Sequence, residues 1–360
     1  MKNLAIVIIL MIAGALAVAR AETRVSGIID RNERWTPEKG PYLINGDLLI
    51  GRKGYLVITP GTQIMIGTPS YPGTGIDQID HTDSQMVAIH VRGMLTCQGS
   101  PTKRVSISPL MRDDDRCHWY GIIFDGSYDQ LTEVSFTDIS GACNAITVRG
   151  CSPTVRNCIF ENNNVGINCL KEGNAKVYNC VIARNTTCGI HLQSANPVFY
   201  NNILVSNKNN GIWCDGISAM TFAYNCLFDN LDGNFMECDP ELGVITPSKK
   251  SRIPTDGSGN IYCNPVFAGT SSDSLAAEKD TRIPTDRSRI ADTVLAKTLH
   301  DTLIDSSAIR RVMLKASRYE LSAYSPCINA GNPDKKFKNK NGTRNDIGIG
   351  GGPEFFGESK

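Results

Sequence analysis

The chain has 360 residues, enough for one large domain or two ordinary ones with a sizeable buried core. Lys plus Arg total 37 against 36 Asp plus Glu, which excludes a strongly basic nucleic-acid binder. Charged residues at 20%, hydrophobic residues at 41% and 33 glycines fit a packed, turn-rich fold and exclude wholesale disorder, a polytopic membrane protein and a coiled coil.

Residues 1–21 predict an export signal. Met1-Lys2-Asn3 gives a positive start, Leu4 to Val18 an apolar core and Ala19-Arg20-Ala21 a small-residue cleavage site. An uncleaved anchor is the alternative, and the lack of a Cys after the site argues against a lipoprotein. On this reading the mature chain starts near Glu22, keeps no membrane span after cleavage, and is secreted, periplasmic or at the cell surface. Thirteen cysteines in an exported chain suggest disulfides, but the number is odd and the positions follow a repeat better than they follow pairs. No CxxC pair occurs and the five histidines are scattered, so zinc is not expected.

Residues 22–86 read as entry strands, and 87–238 carry the repeat. Tyr120-Gly121-Ile122, Asn144-Ala145-Ile146, Val165-Gly166-Ile167, Cys188-Gly189-Ile190 and Asn210-Gly211-Ile212 begin five copies, at steps of 24, 21, 23 and 22 residues. The last four are each followed by a second phrase: Asn157-Cys158-Ile159-Phe160, Asn179-Cys180-Val181-Ile182, Asn201-Asn202-Ile203-Leu204 and Asn225-Cys226-Leu227-Phe228. Asn163, Asn185 and Asn207 recur at steps of 22, and a degraded sixth copy lies at Asn234-Phe235. This period is too short for helix pairs, and the leucine-rich signature is missing. What remains is an all-β, right-handed parallel β-helix, a solenoid of stacked coils. Asn at the same corner of successive coils can bond the turn backbone and tolerate left-handed angles.

These motifs, with Trp35, Pro41-Tyr42-Leu43-Ile44, Leu56-Val57-Ile58-Thr59-Pro60-Gly61, Gly93-Met94-Leu95 and the ending Ser325-Pro326-Cys327-Ile328-Asn329-Ala330-Gly331, resemble the bacterial right-handed parallel β-helix repeat proteins of the pectate-lyase-like superfold. The resemblance implies an architecture shared by lyases, hydrolases, binding and adhesion modules.

From Asp239 the repeat is expected to lapse, with an irregular and partly helical insertion over 239–318 and a closing segment over 319–360. Arg252-Ile-Pro-Thr-Asp256 returns as Arg282-Ile-Pro-Thr-Asp286, and apolar residues from Ile290 to Met313 recur at helical spacing.

Within each Gly-Ile strand, alternation sends two sets of side chains to opposite faces. Ile122, Ile146, Ile167, Ile190 and Ile212, with Phe124, Val148, Cys169, Leu192 and Cys214, form the expected core ladder. Cys158 and Cys180 read as small buried hydrophobes, with disulfides between stacked cysteines as the alternative. The opposite set forms an outer strip in which Asn168, His191, Gln193, Trp213 and Asp215 suit a polysaccharide or cell-surface glycan: the indole stacks on a sugar face while amides and charges bond hydroxyls. An ordinary solvated face is the bland alternative.

For catalysis the candidates are Asp125 and Arg149. Asp125 and Asp215 lie four coils apart, about 19 Å at roughly 4.8 Å per coil, too far for a glycosidase pair. The polygalacturonase-like branch places acidic residues before and within the Gly-Ile strands, where this chain has Thr187-Cys188 and Asn209-Asn210. A lyase would need a base and commonly calcium, for which Asp113-Asp114-Asp115 near Asp125 and Arg149 is one candidate cluster. A second is Asp334, Asn339, Asn341 and Asp346, which resembles half a calcium loop but has four lysines around it; an Asx-rich turn without metal is the alternative. The reading is thus an exported carbohydrate-binding or surface-interaction module leaning away from enzyme activity, with no cofactor unless calcium, and with a polysaccharide lyase acting on acidic glycans as the alternative. Copper-associated metal handling is a distant third, since no His/Met/Cys cluster lies outside the presumed core.

Overall fold

The computed structural model describes residues 22–67, 86–111, 117–128, 132–246, 252–268 and 319–353. These contain twenty-four strands, numbered β1 to β24 in chain order, every pair of which is parallel. They stack into three faces. The first runs through the second half of β3 (Tyr42–Ile50), then β6 (Ala88–Val91), β9 (Trp119–Asp125), β12 (Ala142–Arg149), β15 (Val165–Leu170), β18 (Cys188–Gln193), β21 (Asn210–Trp213) and β24 (Gly233–Met236). The second holds β2 (Asn32–Trp35), β4 (Tyr55–Ile58), β7 (Met94–Gln98), β10 (Glu133–Ser135), β13 (Thr154–Arg156), β16 (Lys176–Tyr178), β19 (Val198–Tyr200) and β22 (Thr221–Ala223). The third continues from the first half of β3 through β5 (Gln63–Ile66), β8 (Val105–Pro109), β11 (Thr137–Ser140), β14 (Ile159–Glu161), β17 (Val181–Ala183), β20 (Ile203–Val205) and β23 (Cys226–Phe228). One strand on each face makes one coil, and the stack is about eight coils tall. β1 (Thr23–Ile29) pairs along both halves of β3, so the ladder is continuous from Thr23.

The expected core ladder is present. Ile122, Ile146, Ile167, Ile190 and Ile212 are mutual register partners and buried, as are Phe124, Val148, Cys169 and Leu192 beside them. Val134, Val155, Val177, Phe199 and Phe222 from the second face, and Ile139, Phe160, Ile182, Leu204 and Leu227 from the third, join the same cluster. Glycine recurs before the isoleucine because successive coils nearly touch there: a Cβ on Gly166 would lie 2.6 Å from the Gly189 carbonyl oxygen, and one on Gly189 2.7 Å from that of Gly211.

The coil corners divide between two residues the work expected of asparagine alone. Left-handed backbone falls at Phe136, Asn157, Asn179, Asn201 and Tyr224 on one corner, and at Asn162, Arg184, Ser206 and Asp229 on the next. The following residue turns inward and forms a ladder. Asn163, Asn185, Asn207 and Asn230 are buried and linked by amide-to-amide bonds of 3.2, 2.9 and 2.8 Å. A second ladder joins Asn202, Asn225 and Asn260 at 3.0 Å per step. Cys180 and Cys158 occupy its earlier rungs: Asn202 accepts from the Cys180 backbone N–H at 2.9 Å, and Cys180 sulfur accepts from that of Cys158 at 3.4 Å.

Two expectations need correction here. Asn225 aligns with Asn202, and Cys226 with Ile203, one residue away from the alignment suggested by the Asn-Cys phrase. The repeat also does not stop at Asp239, because Ile261 pairs parallel with Cys226 and Asn260 extends the ladder. The helical pattern from Ile290 to Met313 and the export signal lie outside the described residues. Among the described residues, no helix is long and apolar enough to cross a membrane.

The closing segment runs along the third face. Ile347, Ile349, Cys327 and Tyr319 pack with Ile159, Val181, Ile203, Cys226 and Ile261 into a second apolar cluster outside the coil. The left-handed asparagines hold it: Asn157 donates to the carbonyls of Ile349 and Gly351, and Asn179 to those of Asp346 and Gly348. Phe337, in the 3-10 turn Lys335–Phe337, sits edge-on to Tyr178 and Tyr200 at 5.5 Å from each ring.

Candidate functional site

The outer strip is one continuous column on the first face. In register it reads Leu49, His90, Ile123, Thr147, Asn168, His191, Trp213 and Met236. The members up to Asn168 are buried, His191 and Trp213 are half-buried, and Met236 is exposed. The strip is therefore closed over in the early coils and opens at β18.

At the opening, the His191 and Trp213 rings meet at 5.2 Å and 63°, an edge-to-face pair. His191 Nδ1 donates to Asn168 Oδ1 at 2.8 Å, which leaves Nε2 as an acceptor. Desolvation lowers the His191 pKa against the upward pull of Asp215, so the ring is neutral at pH 7. Asn168 thus acts on the surface through His191 rather than as an open amide. Gln193 is exposed and pairs in register with Leu170.

Asp215 is engaged in the backbone. Its carboxylate accepts from the N–H groups of Ser194 at 2.7 Å, Ile217 at 3.1 Å and Ser218 at 2.9 Å. Desolvation pushes this carboxyl upward, but the hydrogen bonds from Ser218, Ile217 and Ser194 together outweigh it and hold the group well below the usual range. Its bonds to Ser194 and Ser218 join two coils at the corner beneath Trp213.

Asp125 and Arg149 are partners on adjacent coils, and the structure adds two residues to them. His90 Nε2 lies 3.3 Å and Arg92 Nε 3.7 Å from Asp125 Oδ2. His90 is buried, and desolvation lowers its pKa, helped by the fields of Arg92 and Arg149 and opposed by Asp125. The group is a carboxylate held among a neutral imidazole and two guanidiniums. Sequence reasoning missed His90 and Arg92, although Ala88-Ile89-His90-Val91-Arg92 follows the same alternation as Gly121-Ile122-Ile123-Phe124-Asp125. Asp113, Asp114 and Asp115 lie outside the described residues. Asp215 stands four coils from Asp125, as the repeat implied.

The C-terminal candidates spend their oxygens on turns. Asp334 accepts from the Lys336 N–H and pairs with its ammonium at 3.5 Å, and Asn341 accepts from the Thr343 N–H and hydroxyl. Asn339 accepts from the N–H groups of Asp346 and Gly352, and Asp346 from that of Asn329. These bonds fold the closing segment onto the third face.

Residues 114–238, spanning β9 to β24, match the family model described as right handed beta helix region. With the stacked parallel coils, this match makes the fold a right-handed parallel β-helix. No curated protein and no solved structure matches it. A β-helix of this kind supports a carbohydrate-related or surface role and assigns no reaction of its own.

Proposed function

We propose that this β-helix protein is exported and binds a polysaccharide or cell-surface glycan along the open end of its first face. The observation that carries the reading is the opening of the outer column at β18, where a half-buried indole stands against a neutral imidazole and an exposed amide. The indole offers a flat apolar platform to a sugar ring, while His191 Nε2 and the Gln193 amide offer hydrogen bonds to hydroxyls. Parallel coils about 4.8 Å apart repeat such contacts along a linear chain.

The other two tryptophans, Trp35 and Trp119, are buried. Intrinsic fluorescence titrations therefore report on Trp213. Across a panel of neutral and acidic polysaccharides, a saturable emission change is expected for the cognate glycan. Trp213→Ala should weaken its binding by about 1–3 kcal/mol by calorimetry, the range expected for loss of an aromatic anchor. Unchanged affinity in a folded Trp213→Ala protein rejects the site. Asp215→Asn is a poor probe of charge recognition, because that side chain holds a corner.

A second reading, lyase action on an acidic glycan, draws support from Arg92 and Arg149 flanking Asp125 beside His90. Those guanidiniums suit a uronate carboxylate. An ultraviolet assay for unsaturated product, lost in Arg149→Ala, tests it.

A further inference from the structure

The first face ends in a pair of cysteines that the glycan reading does not use. Cys214 follows β21 and Cys238 follows β24, which among the described residues is the last strand of this face and pairs with β21 alone. Their sulfurs are 2.8 Å apart, and the Cys214 N–H bonds the Met236 carbonyl at 2.9 Å. Cys214 is buried and Cys238 half-exposed. By contrast, Cys97, Cys169 and Cys188 are buried with thiols pushed up to about 12 by desolvation, which makes them inert. Elsewhere on this face the chain already carries a disulfide, between Cys117 and Cys143.

We propose that Cys214 and Cys238 are an oxidation site, at which a small-molecule or protein disulfide converts the two thiols into a bond tying β24 to the coil beneath. The order of events follows from exposure. The Cys238 thiolate attacks one sulfur of the reagent, R–S–S–R; that S–S bond breaks, one thiolate leaves, and Cys238 carries the mixed disulfide. Cys214 then loses its proton and attacks the Cys238 sulfur, expelling the second thiolate. The net change is two protein thiols plus R–S–S–R giving one protein disulfide and two R–SH. Two electrons pass to the reagent and both protons end on the released thiols. Hydrogen bonding from Cys214 favours this order by drawing the Cys238 thiol below its ordinary range, against the opposing effect of burial. The bond would secure the strand that ends the first face among the described residues, directly beside Trp213 and Met236.

The test uses the full chain, reduced, desalted and then exposed to oxidised glutathione. Free thiols are alkylated before chymotryptic digestion, which cuts between the two cysteines at Phe222 and Phe235. The expected product is a Cys214 peptide disulfide-linked to a Cys238 peptide, with neither cysteine alkylated. In Cys214→Ser the reaction should stop at a glutathione adduct on Cys238. Recovery of both cysteines as alkylated thiols from the oxidised wild-type protein, or of Cys238 bonded to another cysteine, overturns the proposal. The wild-type mapping decides the question even if the variant does not fold.

Discussion

Replacing Asn185 with Ala should cost more than any exposed substitution in the solenoid, and the structure fixes the size of the loss. Asn185 Oδ1 accepts from the Asn163 backbone N–H at 3.0 Å and from its amide at 3.2 Å; Asn185 Nδ2 donates to the Phe160 carbonyl at 3.3 Å and to Asn207 Oδ1 at 2.9 Å. Truncation deletes all four bonds. Asn163 Nδ2 keeps the Ile139 carbonyl and Asn207 Oδ1 keeps the Asn185 N–H, so those two groups are only partly stranded. The buried Asn163 N–H loses the side-chain oxygen it bonds and costs about 1–3 kcal/mol, with about 1 kcal/mol for each weakened neighbour. The expected total is about 3–5 kcal/mol, measured by urea unfolding followed by far-UV circular dichroism. Lys176→Ala, exposed on β16, serves as the control and should stay within about 0.5 kcal/mol. Asn185→Asp keeps the acceptors for Asn163 but sets a carboxylate against the Phe160 carbonyl and Asn207 Oδ1. Its folded pKa is then raised, so its deficit relative to wild type should shrink as the pH falls and the acid proton is restored. A loss under 1 kcal/mol in Asn185→Ala would refute the claim that the ladder carries the corner.

Two further outcomes follow from buried charge and buried imidazole. Arg104→Met leaves Asp138, which it holds at 2.7 Å with both side chains buried, as an unpaired carboxylate; thermal melts should show a loss of about 3–5 kcal/mol, largely recovered in Arg104→Met/Asp138→Leu. His90 has a folded pKa below its unfolded 6.5, so its contribution is complete above that value and is lost as the pH falls through it; His90→Gln should reduce the stability lost between pH 7 and pH 5 in urea titrations, and an unchanged slope rejects this assignment.

The coil was legible in the sequence because its cause is local and repeats. An isoleucine that must point inward and a glycine that must let the next coil approach recur every twenty-odd residues, and alternation then assigns each neighbour to a face. Register failed where a chance likeness competed with geometry. Asn225-Cys226 imitates Asn179-Cys180, yet the ladder needs an inward amide after a left-handed corner, and Tyr224 supplies that corner at a φ of 56°. The last rung, Asn260, was hidden because thirty-five residues separate it from Asn225 rather than the usual twenty-two or twenty-three.

Exposure was not legible, and exposure decides which face can bind. Alternation puts Leu49, Ile123, Thr147 and Trp213 in one outward column, but whether outward means open depends on what lies across it. On the third face, residues more than 160 positions away in sequence do the covering, as in the Asn179 bonds to Asp346 and Gly348. On the second, the stacked Tyr178 and Tyr200 would make an aromatic platform as good as Trp213, but Phe337 already occupies it. The early coils of the first face bury the column down to Asn168. An aromatic on a parallel β-helix is therefore a ligand platform only where the closing segments leave it uncovered. On the outward column of the first face that condition is met at His191 and Trp213, with Met236 exposed beyond them, which is why the candidate site belongs at this end of the stack.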